Sequence, residues 1–520
     1  MRRSLSASLC ASLCALSLTL ALFAFTAGST WAQKAPVLHP LPDPRPFAAA
    51  ITAEELKAHL FVVAGKEFEG RETGTEGQRK AAAYIENEFR SLGLQPGNKD
   101  SYQLYYPIFQ DSLKDAGIRI NGQDFTINED FAVSTAANYT ATLMSSEVVF
   151  AGYGISDSTR DDYKGLDVKG KIVLLLNGTP AGSPPTPLNR RSAGSYSRQE
   201  LAQKNGAVAV LILQSGFPRK SFGEKGAMYL NGYRKTILPN AYYISDKIAK
   251  AIMGADYESV TSGNFKPKSY SADVLLEFSK STGHLQSSDV LGFLEGTDLK
   301  DQLVVISAHY DHLGKKDTVI YYGADDDGSG TVSVLELAKA FTKAKAAGKA
   351  PRRSILFLAN SGEEKGLWGS EYYSEHPTWP MDHITVDLNI DMIGRIDPNR
   401  KKGDSTNYVY VIGDDKLSSD LKPISEGQNK KYTKLELDYK FNDPKDPERI
   451  YYRSDHYNFA RKGVPIIFYF DGIHKDYHRP TDTPDKINYD ILEKRARLVF
   501  YTAWDMVNRD EMLKRDIPLD

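Results

Sequence analysis

LVVISAHYDHLG, residues 303–314, begins as a short apolar run and breaks at His309 into a polar turn. An apolar run of this length, ended so abruptly, reads as a strand buried on both faces. The same layout recurs downstream. SILFLA (354–359) runs into Asn360-Ser361-Gly362-Glu363-Glu364, TVDLNI (385–390) into Asp391, and VPIIFYF (464–470) into a loop containing His478. GADDDGSG (323–330) leads into a helical stretch from Thr331 to Lys345. Val332, Leu335, Ala338 and Phe341 share one face of it, and Val334 and Leu337 widen the stripe. Strands alternating with helices predict an α/β fold, a mixed, mostly parallel sheet sandwiched by helices. Ligands of such sheets bind at the carboxyl ends of the strands. Each candidate His, Asp and Glu falls there.

Two histidines and several carboxylates on one edge suit a pair of divalent metals, and imidazole with carboxylate fits zinc. Two ions about 3.5–4 Å apart need a carboxylate that bridges them with both oxygens. Two zinc ions bring four positive charges, and three ligand carboxylates with one hydroxide cancel them. That neutral sum suits a partly dry cleft. It also explains why Asp325, Asp326 and Asp327 tolerate one another. Any one of these residues alone reads as structural; their shared place at one edge is what points to a site. His312, His376, His383, His456 and His474 are read as structural, and Tyr451, Tyr452 and Phe468–Phe470 as core or cleft wall. The sequence has no G-x-S-x-G elbow, which disfavours a serine hydrolase.

The 520-residue chain is 41% hydrophobic and 25% charged, with a net charge of −2. This balance gives no field to recruit nucleic acid or an anionic membrane. Residues 1–32 have a basic start (Arg2, Arg3), an apolar run and the small residue Ala32, which predicts a signal peptide cut after Ala32 and no stable membrane anchor after cleavage. Both cysteines, Cys10 and Cys14, lie inside it. A mature chain free of cysteine has no disulfides, Cys-ligated zinc or thiol nucleophile, and suits a periplasmic or secreted protein, most simply a bacterial one. Residues 52–94 read as helical around the loop EFEGRETGTEG (67–77). EVVFAGYGI (147–155), KIVLLL (171–176) and AVAVLIL (207–213) read as strands, and 177–200 as a long exposed loop rich in Pro, Gly and Ser. Residues 396–450 read as long polar loops that rim the cleft, and 490–508 as an amphipathic helix.

SAHYDHLG (307–314), GADDDGSG (323–330), NSGEEKGLWGS (360–370), NIDMIG (389–394), RSDHYNF (453–459) and YHRPTDT (477–483) resemble, in order, the motifs of the M28 family of co-catalytic zinc aminopeptidases. AHLFVVAGKEFEGRETGTEGQRKAAAYI (58–85) is similar to the family's amino-terminal region. FAGYGI, DDYKGLDVKGKIVLL and KNGAVAVLIL look like the protease-associated (PA) domain that some members carry. The resemblance implies a zinc-exopeptidase-like fold with a signal peptide at 1–32, a catalytic domain in two parts (33–130 and 276–520) and an inserted β-rich PA domain at 131–275. It implies two zinc ions held by His309, Asp326, Glu364, Asp391 and His478, with Asp326 bridging and a cis peptide at Asp326–Asp327. Glu363 would be the general base, and Tyr477 a donor to the oxyanion. Asp311, Asp327, Asp455 and Asp482 would support the ligands from behind. The implied function is an exported aminopeptidase acting on peptides with a free amino terminus. A carboxypeptidase or dipeptidase of the same fold is the alternative, although such carboxypeptidases usually append a helical dimerisation domain and this chain ends about forty residues after His478. Single-zinc glutaminyl cyclases keep fewer ligands, and a catalytically dead binding protein would lack ligands or the base; none is missing here.

Overall fold

A short helical turn at Arg45–Ala48 and two capped helices open the part of the chain described by the computed structural model, which covers residues 41–519 apart from 159, 181–194, 220–223, 234, 235 and 264. The predicted signal segment therefore lies outside the described residues. Helix α1 is Ala53–Val63 and α2 is Glu76–Ser91; the Thr52 and Thr75 hydroxyls accept the N–H groups of Glu55 and Gln78, donors that a helix start leaves unpaired. The glycine-rich segment 67–77 joins them, as predicted.

The middle of the chain is mainly β. Strand β1 (Gln103–Ile120) is followed by β2 (Ala141–Phe150), β3 (Ile172–Leu176), β4 (Ala209–Leu213) and β5 (Asn240–Ile244), and the last four run parallel in that order. Helix α3 (Ser195–Lys204) supplies Ala202 to the apolar layer on one side of these strands. Helix α4 (Asp246–Met253) supplies Ile248, Ala249, Ile252 and Met253 to the other. α3 corrects the expected loop, whose residues from Ser195 onward are helical; polar side chains at most of its positions hid the periodicity. The 27-residue strand β6 (Lys268–Leu294) leads out of this region. It lies antiparallel to β1 along most of its length, to β2 in its first part and to a later strand in its last, so one sheet continues through both parts of the chain.

The strands read from the four motifs are all present. They are β7 (Leu299–His309), β8 (Arg353–Asn360), β9 (Ile384–Ile390) and, after β10 (Tyr408–Ile412), β11 (Ile466–Phe470). Their order is β10-β11-β9-β7-β8-β6. β8, β7, β9 and β11 are parallel, and β10 is antiparallel to β11. Every residue of β8, β9 and β11 is buried, which explains the apolar runs of β8 and β11; in β9 the alternating polar Asp387 and Asn389 both accept the Ser307 hydroxyl. Helices α5 (Gly330–Ala346) and α7 (Tyr489–Asn508) pack with α1 on one face. Helix α6 (Trp368–Glu375) and the segment 450–460 cover the other. Within 396–450, between the polar stretches IDPNRKKGDSTN and FNDPKDPERI, the chain forms β10, a helix at Leu421–Gln428 and a short strand at Glu436–Asp438. Long polar flanks concealed the five-residue run YVYVI.

Candidate metal centre

The carboxyl ends of β7, β8, β9 and β11 meet over one depression. His309 is the last residue of β7, and Asp391 follows β9 directly. Glu363 and Glu364 follow β8 after the turn Ser361-Gly362, and His478 comes eight residues beyond β11. Asp326 reaches them from the loop that precedes α5. Gly323, at φ +55°, is required there, because a Cβ would strike the Asp326 carbonyl and the His312 ring.

His309 Nε2 lies 3.3 Å from Asp326 Oδ1 and 3.6 Å from Asp391 Oδ1. His478 Nε2 lies 3.0 Å from Asp326 Oδ2 and 3.2 Å from Glu364 Oε2. Asp326 thus turns one oxygen toward each pair. Two ligand atoms on a tetrahedral zinc, each bonded at about 2.0–2.1 Å, stand about 3.3 Å apart, so the distances from each histidine to its two carboxylates are close to those an ion requires. His309 Nε2 and Asp327 Oδ2 are buried with no hydrogen-bond partner. Leaving such atoms unpaired is costly, and a pair of cations would satisfy them. The residues therefore fit the metals that the motifs imply. Glu363 Oε2 lies 3.9 Å from His309 Nε2.

The supporting carboxylates bond mostly to backbone. Asp311 Oδ1 accepts the Glu363 N–H at 3.2 Å and lies 3.6 Å from His309 Nδ1, while Asp311 Oδ2 accepts the Thr73 hydroxyl at 2.6 Å. Asp482 Oδ2 accepts the N–H groups of Asp325 and Asp326 at 3.0 and 3.2 Å, tying the His478 loop to the aspartate loop. Asp327 Oδ1 accepts from Gly330 and Met392 at 2.8 and 3.0 Å. Asp325 accepts the Gly394 N–H at 2.7 Å and faces His474 Nε2 at 3.2 Å. Asp455 accepts the Ser370 hydroxyl at 2.5 Å. The peptide Asp326–Asp327 is cis, at the position the motif implied.

Burial and neighbouring charge divide the two glutamates. Burial pushes the Glu363 carboxyl well above its ordinary range, and the nearby Glu364, Asp391 and Asp455 add to this against His309. Glu364 is also buried, but contacts with His312 and His478 hold it below its ordinary range. The same balance, with His309 and His478 outweighing burial, places Asp326 well below it.

His312, read as structural, stands inside the cluster: Nδ1 is 2.7 Å from Glu364 Oε1 and 3.9 Å from Asp326 Oδ2. With Asp326 and Glu364 it forms a trio close enough to hold an ion, and Asp327 forms another with His309 and Asp391. The H-x-x-H spacing of His309 and His312 was the one signal for the first of these. His456 is a core residue: burial lowers its pKa to about 3, and its ring stacks on Phe468. Beside the centre opens an apolar pocket lined by Met392, Ile450, Phe468, Phe470 and Ile473, with Arg453 and Tyr477 at its side. Arg453 donates to the Tyr477 hydroxyl at 3.1 Å, and the Tyr477 ring stacks on His478.

Residues 289–503, which hold every one of these ligands, match the sequence model of peptidase family M28. This part of the chain belongs to peptidase family M28. An aminopeptidase from Aneurinibacillus sp. strain AM-1 shares the fold at a TM-score of 0.54 and 19% identity, over 92% of this chain and 99% of that one. A zinc aminopeptidase from Bacillus subtilis does so at 0.51 and 21%, over 92% and 100%. A probable leucine aminopeptidase of Trichophyton verrucosum is 28% identical over 40% of this chain and 54% of its own length. A vacuolar membrane protease of Aspergillus fumigatus is 42% identical over 16% of this chain and 8% of its own. The chain thus spans about half of the first of these relatives and less than a tenth of the second. The curated relatives correct the expected location in a bacterial periplasm or medium, because they include vacuolar membrane proteases of fungi such as Tuber melanosporum and Aspergillus clavatus. A basic start and an apolar run mark entry to a secretory route and carry no address beyond it. Among the described residues no helix is long and apolar enough to cross a membrane.

Proposed function

We propose that this M28 chain is a dinuclear zinc aminopeptidase acting on peptides with a free amino terminus. His309, Asp326 and Asp391 would hold one ion, and Asp326, Glu364 and His478 the other. Bound there, the pair supplies Lewis-acid polarisation of the scissile carbonyl and an acidified water. Glu363 takes the proton from the attacking water and returns it to the leaving amine, a task suited to a buried carboxylate with a raised pKa. The Tyr477 hydroxyl donates to the developing oxyanion; burial raises its pKa, which keeps its proton in place. Asp311 orients His309, Asp482 the aspartate loop, and Asp455 and Asp327 the surrounding turns. The pocket of Met392, Ile450, Phe468, Phe470 and Ile473 receives an apolar first side chain, in keeping with the leucine aminopeptidases among the relatives. Residues 131–275 serve as the inserted PA domain of a catalytic domain formed by 33–130 and 276–520, a division supported by the separate apolar layers around β2–β5.

The observation that carries this reading is Asp326, with one oxygen toward each ligand pair. Metal analysis, combined with hydrolysis of aminoacyl-anilides and their acyl-blocked forms, tests it. Two zinc ions per chain and cleavage confined to free amino termini are expected. Preference for the blocked substrates would favour a carboxypeptidase or endopeptidase instead.

A further inference from the structure

The turn EGRETG, residues 69–74, takes no part in the chemistry above, yet it touches three of the loops that carry it. Arg71 is fully buried. Its Nε donates to the Tyr310 carbonyl at 2.6 Å, Nη1 to Tyr322 at 2.8 Å and to Val63 at 2.9 Å, and Nη2 to Gly323 at 2.9 Å. The Tyr310 carbonyl lies between His309 and Asp311. Those of Tyr322 and Gly323 lead into Asp325–Asp327. Two residues on, Thr73 donates to Asp311 at 2.6 Å. Between them Glu72 pairs with Lys365, the residue after Glu364, at 2.7 Å. Backbone bonds from Gly314 to Gly70 and from His312 to Arg71 close the strap against the β7 loop.

We infer that Arg71 and Thr73 are positioning residues of the metal centre, which set the distance between the His309 loop and the Asp326 loop before any ion arrives. A planar guanidinium has donors in a fixed fork, so carbonyls bonded to it from two loops cannot drift independently. None of the described carboxylates pairs with Arg71 at ion-pair distance. Its charge instead faces Asp311, Asp326, Asp327 and Asp482 through space, and offsets part of the repulsion within the empty ligand set. An ammonium in its place would keep the charge and lose the fork. The inference rests on the dinuclear reading above.

The test uses the full chain, stripped by chelator and titrated with cobalt(II), with visible absorption reporting ligand geometry. Arg71→Lys is expected to raise the cobalt dissociation constants of both sites by about tenfold or more, the scale seen when support of metal ligands is removed. It should also alter the absorption bands while the far-UV circular dichroism stays that of wild type. Thr73→Val, a milder change that frees Asp311 alone, should weaken the His309 site and spare the other, and it serves if Arg71→Lys does not fold. Wild-type affinities and bands in both variants would overturn the inference and leave the dinuclear reading standing. A wild-type chain that binds no cobalt would overturn both.

Discussion

Glu363 and Glu364 are neighbours in sequence and opposites in environment, and the difference lies in what each side chain faces. Glu364 lies between His312 and His478, whereas Glu363 lies among carboxylates with one histidine 3.9 Å away. Glu363→Gln should lower kcat by about 10²–10⁴-fold, the usual contribution of a general base, with metal content unchanged. Loss of an ion from that variant, measured by elemental analysis, would reverse the division of labour. Far from the metal centre, Asp414 offers a second test of burial. Buried and bonded to Asn442, with Lys422 opposing the effect and Asp415 and Glu426 adding to it, its carboxyl is pushed up to about 7. The folded chain then holds a proton that the unfolded chain releases near its ordinary pKa of 3.8. Its contribution to stability is complete at low pH and is lost as pH rises toward 7. Asp414→Asn should flatten that decline in urea midpoints measured from pH 4 to 8. The residues that converge here, the ligands of the proposed centre, were legible in the sequence because His, Asp and Glu at strand ends carry their chemistry in their type. Arg71 was not, because its partners are carbonyls, which every residue has.

At the scale of the element, β7, β8 and β11 announced themselves through near-continuous apolar runs, the consequence of helices on both faces, and β9 through the alternation in TVDLNI. β10 did not, because a five-residue strand among long polar loops has neither length nor alternation to mark it. α3 was missed for the complementary reason, a helix with little apolar face. α5 was read nearly to its ends, since its stripe meets α7 and the sheet together. Phe341 lies at that junction, fully buried, with Phe500 at 4.8 Å, Trp504 at 5.8 Å and Phe357 at 6.3 Å between ring centres. Phe341→Ala should destabilise the fold by about 3–5 kcal/mol, the range for deleting a core aromatic. Denaturant unfolding followed by tryptophan fluorescence will read it, because Trp504 stacks on the same ring. A loss under about 1 kcal/mol would mean that α5 and α7 repack freely.

Across the whole molecule, one sheet joins a middle region with its own apolar layers to a second half that carries every ligand. The segments that form the centre span residues 71 to 482, so the site exists only when distant parts of the chain have folded together. Metals that bind the folded chain and not the unfolded one must therefore stabilise all of it by mass action, by about 2.7 kcal/mol for each ion held at a hundred times its dissociation constant. Chelation should lower the melting temperature, and added zinc should restore it in proportion to the logarithm of its concentration. The carboxylates set the direction of a further effect. Without ions, Asp326, Glu364 and Asp391 crowd into a buried space with His309, His312 and His478 as their nearest basic groups, so the stripped chain should gain stability from salt that screens them, and the loaded chain should gain less. Melting curves of both forms at low and high sodium chloride decide this. Equal salt responses would mean that the centre is relaxed without its metals, and that its geometry owes little to charge.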